Sequence, residues 1–589
     1  MAAATADFAP TLLDRLLRPG RDSGRDHLYD VLWLLGLGLL LIGTGLGLRD
    51  PWPPDEPRFA LVAQDMLRSG DWLFPRIGGD LYADKPPFFF WLVAVATAAT
   101  GWLRIGFLLP SLLAGLGTVL LAYDLLRRAR GREAGLATGL VLLVTFQFVW
   151  EARQAQIDAA LCFLTTLSLY GLLRHLCIAP ARNWFLAGWA AAGLGVITKG
   201  VGFLPLLALI PFAFLVRRRW RAAVPRIGAL GAAGAVCLLI AIGLWFVPMM
   251  VASSAGDDLL AYRQEILFHQ TVTRYADAWH HHAPVYYYFV EIIPLFWLPL
   301  IALVPWLWPR WRDALRGRDT LIAVLLAWVL LVVLFFTSST GKRTLYILPA
   351  VPAFAMAAGP WLPELLRARG PRRVAFVLAC AIAVVAAAAA LVLAVQPQRA
   401  EHVATVYGIQ PVLPLAALAA CCGLVLAYFR VRDGWLAYAG VLATVLAFVG
   451  IVVYPRIDAA RSGRAFMARV EQASVGVREL GLVGAKEQYL LQLRRPSVNF
   501  GHARTREERA GEANDAAAWL AEDPSRALVM DKRTRQRCFR DASAVDLGKA
   551  NQQHWFLVTG VPDARCAAAG NRASIYYYVP PAASVKTGS

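Results

Sequence analysis

Two aspartates and a few cations are the residues of this sequence that could do chemistry. Asp55 stands in the segment 51–92, PWPPDEPRFALVAQDMLRSGDWLFPRIGGDLYADKPPFFFWL, and Asp158 in QAQIDAAL at 154–161. Lys85 lies in Tyr82-Ala83-Asp84-Lys85-Pro86-Pro87, Arg274 in 253–283, and Lys342 and Arg343 in SSTGKRTLYILP at 338–349. A carboxylate can take the proton of an acceptor hydroxyl as general base. Cations can stabilise charge building on a phosphate leaving group. The set therefore suits transfer of a group from a lipid phosphate to an acceptor, which is itself the nucleophile. No Ser/His/Asp triad is needed, and none is evident. Plainer readings stand beside these. Asp is favoured at helix N-caps, and both aspartates stand where a helix opens. The Asp84-Lys85 pair against two prolines is either a surface ion pair in a rigid turn or a cation held at headgroup level.

The elements that must position these residues follow from composition. Of 589 residues, 58% are hydrophobic and 17% are charged, below the roughly 25% of soluble domains. That excludes a disordered chain and an ordinary soluble enzyme. The net charge of +19 sits mostly in short clusters between apolar runs. This is the arrangement of a polytopic membrane protein rather than a nucleic-acid binder. Runs near the length of a span fall at 28–48, 105–126, 133–152, 157–178, 184–198, 200–216, 225–252, 284–308, 319–337, 344–362, 373–396, 411–429 and 434–454. The expectation is thus about thirteen transmembrane helices in an all-α membrane domain.

The stretch 86–103 is also apolar, but the positive-inside rule argues against a span there. If it only dips into the interface, RRARGR at 127–132 and every other basic cluster share the side of the basic N-terminal tail. The tail is then cytoplasmic. The segments 49–104, 153–156, 253–283, 338–343 and 397–410 lie outside, with everything after Tyr454. No cleavable signal peptide is expected, since the first apolar run is long and follows a polar tail. Lys342 and Arg343 stand against the charge bias of the external side, which suggests an anionic partner. In the first external loop, Phe59, Val62, Ala63, Met66 and Leu67 recur with helical period, so an amphipathic helix should lie along the membrane face. Asp55 and Glu56 precede it, Pro57 falls in its first turn and Gly70 ends it.

The division is then a cytoplasmic tail at 1–27, a transmembrane domain at 28–454 and a small external α/β domain at 455–589. In the last, LVMD at 528–531, HWFLVTG at 554–560 and SIYYYV at 574–579 read as strands. Residues 462–480 and 506–521 read as helices. Trp519, Trp555 and Tyr576–Tyr578 are its candidate core. Six of the eight cysteines sit in apolar runs. Cys538 and Cys566 lie in the external domain, where an oxidising compartment permits a disulfide but sequence does not supply the geometry. His280–His282 is a poor metal site, because adjacent side chains point in different directions.

The first loop resembles that of the GT-C membrane glycosyltransferases, which include the 4-amino-4-deoxy-L-arabinose lipid A transferases and the wider protein-mannosyltransferase-like group. The similarity continues through QAQIDAAL, TKGVGFLPL at 198–206, FHQTVTRY and HHHAPVYYY within 268–288, and TLYILPA at 344–350. It covers the membrane region, about three quarters of the chain; the C-terminal domain resembles the family only in position and size. The resemblance implies an inverting transferase that takes a sugar from undecaprenyl phosphate, with 4-amino-4-deoxy-L-arabinose and a lipid A phosphate as the expected sugar and acceptor. It implies Asp55 and Asp158 as acidic active-site residues, Asp55 being the better base, with Glu56 and Arg58 shaping the same site. Lys85 and Arg274 would hold the donor phosphate, with Tyr82 and Tyr346 nearby and Lys342 and Arg343 as further cations. Asp84 and His269 would bind a divalent metal, zinc being expected. The family position of Asp84 is usually Glu, so the shorter side chain weakens that site. No nucleotide is required, because the donor arrives activated. The resemblance also implies a bacterial inner-membrane protein with its active site and C-terminal domain in the periplasm. Membrane lipids are expected partners, nucleic acid is not, and a monomer is expected. The alternatives are a transferase of the same fold with another polyprenyl-phosphate sugar and a protein or glycan acceptor, and a flippase for a lipid-linked sugar. Transporters place polar groups near the bilayer midplane, often within internal repeats. Here the acids and cations gather at one face.

Overall fold

In lipid every backbone polar group must find its partner within the protein, so apolar runs of this length fold as helices. The computed structural model describes residues 24–218, 228–267, 283–484, 486–501, 506–571 and 575–580. Among these, nine helices are long and apolar enough to cross a membrane, the first being α1 (Gly24–Gly43). Two further candidates are broken spans. Arg132–Leu143 and Phe146–Ala152 meet at 68°, and Tyr288–Phe296 and Ile301–Arg316 at 96°, giving up to eleven. The protein is a multi-pass membrane protein. Its helix Gly228–Ala252 turns Val247 and Val251 outward, as expected of side chains that meet lipid.

The difference from thirteen has a local cause in two places. Arg182–Val196 is helical for only 15 residues. The stretch 344–367 is divided into Thr344–Ile347, Ala350–Ala358 and Leu362–Arg367, with Pro349 and Gly359-Pro360 at the breaks. Residues 88–100 form a helix of 13 residues that ends at Gly101 in the left-handed conformation, shorter than the roughly 20 residues of a span.

The first loop folds as its residue types require. Helix α2 (Glu56–Ser69) starts with Pro57 in its first turn and ends on Gly70 at φ 74°. Strands β1 (Arg76–Ile77) and β2 (Asp80–Leu81) pair antiparallel. Their turn needs positive φ at both Gly78 and Gly79, which glycine adopts without a steric penalty. Helix α3 (Phe88–Thr100) follows. Asp65, on the inner face of α2, holds that turn by accepting from Gly78 N at 3.1 Å.

The C-terminal region is a mixed six-stranded sheet. Its strands are β3 (Glu479–Leu482), β4 (Ser497–Asn499), β5 (Arg526–Asp531), β6 (Ser543–Ala550), β7 (Gln553–Thr559) and β8 (Tyr576–Tyr578). Their order is β6-β7-β5-β3-β4-β8. β3 runs parallel to β4 and β5, and the other pairings are antiparallel. The helix predicted over 462–480 stops at Ala473, and its last residues enter β3. Helix Arg506–Glu522 covers one face, where Trp519, Phe500 and Met530 are buried together. The other face does not meet solvent. Trp555, Tyr489, Phe466 and Tyr578 share one apolar cluster with Phe59, Met66, Tyr82 and Phe90 of the first loop. Within β8, Tyr578 is buried and Tyr577 is 65% exposed, the alternation of a strand. A disulfide joins Cys538 to Cys566.

Burial pushes the Asp65 carboxyl up to about 6, against the attraction of Arg68 and the Gly78 and Gly79 amides. With an ordinary value near 3.8 when unfolded, the folded chain binds the extra proton between about pH 4 and 6. Stability should therefore fall as pH rises through that window, by about 3 kcal/mol in total. Thermal unfolding in detergent should show that slope, and Asp65→Asn should remove it. An unchanged slope in the variant would assign it to other groups.

Candidate active site

Asp55 occupies the N-cap position of α2, yet its side chain makes no capping hydrogen bond. Its Oδ2 instead accepts from Arg343 Nη2 at 2.7 Å, across 288 residues of sequence. Asp158 likewise does not cap. It lies in the first turn of helix Ile157–Leu173, and its Oδ1 accepts from Lys199 Nζ at 2.6 Å. Both acids are thus held by cations rather than by helix ends.

The two cations are placed by turns of different kinds. Lys199 sits at the apex of a tight reversal between Arg182–Val196 and the 3₁₀ segment Gly200–Ala208. Its own N–H donates to Gly195 O at 2.9 Å, and its carbonyl accepts from Gly202 N at 3.1 Å. A Cβ on Gly202 would lie 1.9 Å from the Gly195 carbonyl carbon, so the reversal requires glycine there. Its Nζ stands 4.3 Å from the centre of the Tyr346 ring, a cation–π distance. Arg343 precedes the segment Thr344–Ile347. Its carbonyl accepts from Tyr288 Oη at 3.2 Å, and the next carbonyl, Thr344 O, accepts from Gln147 Nε2 at 2.6 Å. The segment 153–158 is fixed by Arg153, whose Nη2 donates to Thr44 O at 2.8 Å and Leu446 O at 3.0 Å.

Glu56, beside Asp55, faces a different environment. It is 4% exposed and forms a two-pronged pair with Arg49, one bond being 2.7 Å. It also accepts from Trp52 N at 2.9 Å and Ala155 N at 3.1 Å. Every lone pair has a donor, so Glu56 joins the start of α2 to the 154–158 segment and has no capacity left for a substrate. Arg49 also lies over the rings of Trp52 and Tyr454. Asp50 completes this junction with Arg104 and Arg464, each at 2.6 Å. Burial pushes the Asp50 carboxyl up, but those two arginines outweigh it and hold it below the usual range.

Arg58, one turn into α2, donates to Glu487 Oε1 at 2.8 Å and lies over the buried Tyr82 ring. It therefore ties the site to the C-terminal region. Lys85 and Asp84 are half-buried, and Lys85 Nζ donates to Asp84 O at 3.1 Å. Lys342 is 5% exposed, its ammonium held by Ser339 O at 2.6 Å and Ala283 O at 3.0 Å. It shapes the loop rather than facing a ligand. Arg274, His269 and His280–His282 lie outside the described residues.

Among the described residues, no three His, Cys, Asp or Glu side chains are grouped to hold a metal ion. His269, the partner of Asp84 in the expected metal site, lies outside the described residues.

The sequence reading missed two residues here. Lys199 lies in TKGVGFLPL as the one charged residue between two apolar runs, which was a usable signal. Glu151 ends the run 133–152 and is 6% exposed. Asp55, Asp158, Arg343 and Lys199 all act on it electrostatically, so it belongs to the same cluster.

Comparison with known proteins bears on this arrangement. A family described as dolichyl-phosphate-mannose-protein mannosyltransferase matches residues 84–245. An undecaprenyl phosphate-alpha-4-amino-4-deoxy-L-arabinose arabinosyl transferase of Pseudomonas aeruginosa is 32% identical over 343 residues, 56% of this chain and 60% of that protein. A second such transferase, from Pseudomonas fluorescens, is 32% identical over 57% of this chain and 60% of its own. The chain thus matches about 60% of the length of these relatives. The crystal structure of ArnT from Cupriavidus metallidurans bound to undecaprenyl phosphate superposes with a TM-score of 0.68, at 22% identity, over 92% of this chain and 99% of that one. The chain has the GT-C fold. It resembles the aminoarabinose transferases within that fold. The match to 92% of the chain reaches into the C-terminal sheet, where sequence likeness was limited to position and size. In this fold the two acid–cation pairs stand at the starts of helical segments: Asp55 at α2, Asp158 at Ile157–Leu173, Lys199 before Gly200–Ala208 and Arg343 before Thr344–Ile347.

Proposed function

We propose that this protein is an inverting glycosyltransferase that moves a sugar from undecaprenyl phosphate to an acceptor on the outer side of the bacterial inner membrane. The expected sugar is 4-amino-4-deoxy-L-arabinose and the expected acceptor is a lipid A phosphate. The observation that carries the reading is the pair of contacts Asp55–Arg343 and Asp158–Lys199. They put two carboxylates and two cations in one cluster built from four distant parts of the chain. The aminoarabinose transferases of Pseudomonas and the undecaprenyl phosphate bound in the ArnT crystal structure support the donor class. The Cys538–Cys566 disulfide supports an oxidising compartment for the C-terminal region.

The reaction forms a bond from an acceptor oxygen to the anomeric carbon and breaks the bond from that carbon to the lipid phosphate oxygen. Lys85 and Arg343, joined by Lys199, offset the charge that builds on the departing phosphate. Arriving phosphate competes with Asp55 for Arg343. Asp55 is thereby freed to take the proton of the acceptor, an alcohol O–H or the remaining P–OH of a phosphate monoester, as the acceptor oxygen attacks and undecaprenyl phosphate leaves. Asp158 holds the Lys199 ammonium in place. Tyr82 is buried beneath Arg58 and fixes the wall of the site.

The test is transfer by the purified protein in detergent. Undecaprenyl-phosphate aminoarabinose and lipid A should give modified lipid A and free undecaprenyl phosphate in equal amounts. A mannosyl polyprenyl phosphate with a protein acceptor, the pairing suggested by the family match, serves as the competing substrate set. Movement of donor between leaflets without transfer to any acceptor would replace this reading with a flippase.

A further inference from the structure

The cluster around the two acid–cation pairs contains one acid more than its pairs require. Glu151 is on Phe146–Ala152, the second half of a broken span. It is 6% exposed, and its carboxylate has no hydrogen bond or ion pair among the described residues. Its carbonyl accepts from Gln154 N at 3.2 Å, which fixes the backbone at the entrance to the 154–158 segment. Lys199 is engaged by Asp158, and Arg343 by Asp55. The charged groups that act on Glu151 are Asp158, Asp55, Arg343 and Lys199, so around this side chain three carboxylates face two cations that are already paired.

A surplus buried carboxylate is costly without a partner, and ionisable residues retained in membrane segments mark ligand pathways. A phosphate ligand makes this surplus worse, not better. A ligand that brings a positive charge together with its phosphate would relieve it. We propose that Glu151 is a specificity-determining residue that accepts the ammonium group of an amino sugar carried on the lipid-phosphate donor. The donor then meets the cluster with both its charges matched, phosphate toward Arg343 and Lys199, ammonium toward Glu151. A sugar hydroxyl at the same place leaves the carboxylate uncompensated, so the neutral sugar is disfavoured. This rests on the lipid-linked donor reading above.

The experiment is equilibrium binding of radiolabelled undecaprenyl-phosphate sugars to the purified full-length protein. The probes are the 4-amino-4-deoxy pentose and its 4-hydroxy counterpart. Wild type should prefer the amino donor by roughly ten- to hundredfold, the scale of a charge-assisted hydrogen bond. Glu151→Gln should reduce that preference to within about threefold, and Glu151→Asp should retain part of it. Gel filtration identifies a variant that fails to fold, in which case Glu151→Asp carries the comparison. Equal binding of both donors by wild type, or an undiminished preference in Glu151→Gln, would overturn the proposal. Selective binding of the amino donor without transfer to any acceptor would sink the transferase reading and leave the subsite standing.

Discussion

Asp55→Asn should lower the transfer rate by about 10²–10⁴-fold, the range associated with losing a general base. The substitution keeps the shape of the side chain and removes its charge. The fold should tolerate it, because Asp55 makes no capping bond to α2 and its partner Arg343 is partly open to solvent. Rate and melting temperature therefore separate. A large loss of rate with a melting temperature within a few degrees of wild type is the expected pair of results. Donor binding distinguishes base from structural support. Arg343 loses its internal competitor in Asp55→Asn, so the donor should bind at least as tightly as in wild type.

Glu56→Gln should have the opposite signature, with a severe loss of stability. The Arg49–Glu56 pair is buried on both sides, at 2% and 5% exposure, and breaking such a pair from one side costs about 3–5 kcal/mol. Two further segments meet there, since Glu56 also holds Trp52 N and Ala155 N. The expected observation is a fall in yield and melting temperature, with any surviving folded protein retaining transfer. A stable, inactive Glu56→Gln would place this residue in the chemistry, contrary to its contacts. Adjacent acids in one Asp-Glu dipeptide thus divide the work. Asp55 reaches Arg343, and Glu56 holds the loop that carries it.

That division shows what could and could not be read from the sequence. Asp55 and Asp158 stood out because acids at the ends of apolar runs are conspicuous. Arg343 stood out because it broke the charge bias of its side. Glu56 could not be told from Asp55, because sequence does not reveal which way neighbouring side chains turn on leaving a helix N-terminus. Its partner Arg49 lies seven residues upstream, on the other side of a proline-rich turn. Lys199 was passed over because it is a single charge between runs read as two spans, and its reach to Asp158 depends on a reversal built on Gly195 and Gly202. Glu151 was absorbed into the apolar run 133–152, whose composition carries no sign of the bend after Leu143.

In the C-terminal region the apolar strands β5 and β7 were legible, whereas β6 was not. SAVDLGKA lies on an edge with only Leu547 buried, so it lacks the apolar run that marked the other strands. That the sheet spends one face on the first loop was not legible either. Trp519, Trp555 and Tyr576–Tyr578 looked like an independent core, and only the packing of Trp555 and Tyr578 with Phe59 and Tyr82 makes the C-terminal region part of what positions the site.

In the proposed reaction the acceptor displaces the lipid phosphate directly at the anomeric carbon, with Asp55 acting on the acceptor and not on the sugar. The anomeric configuration of the transferred sugar tests it most directly. Nuclear magnetic resonance of the isolated product should show the configuration inverted relative to the donor. Retained configuration would require a sugar–enzyme intermediate on a carboxylate, and would contradict the account.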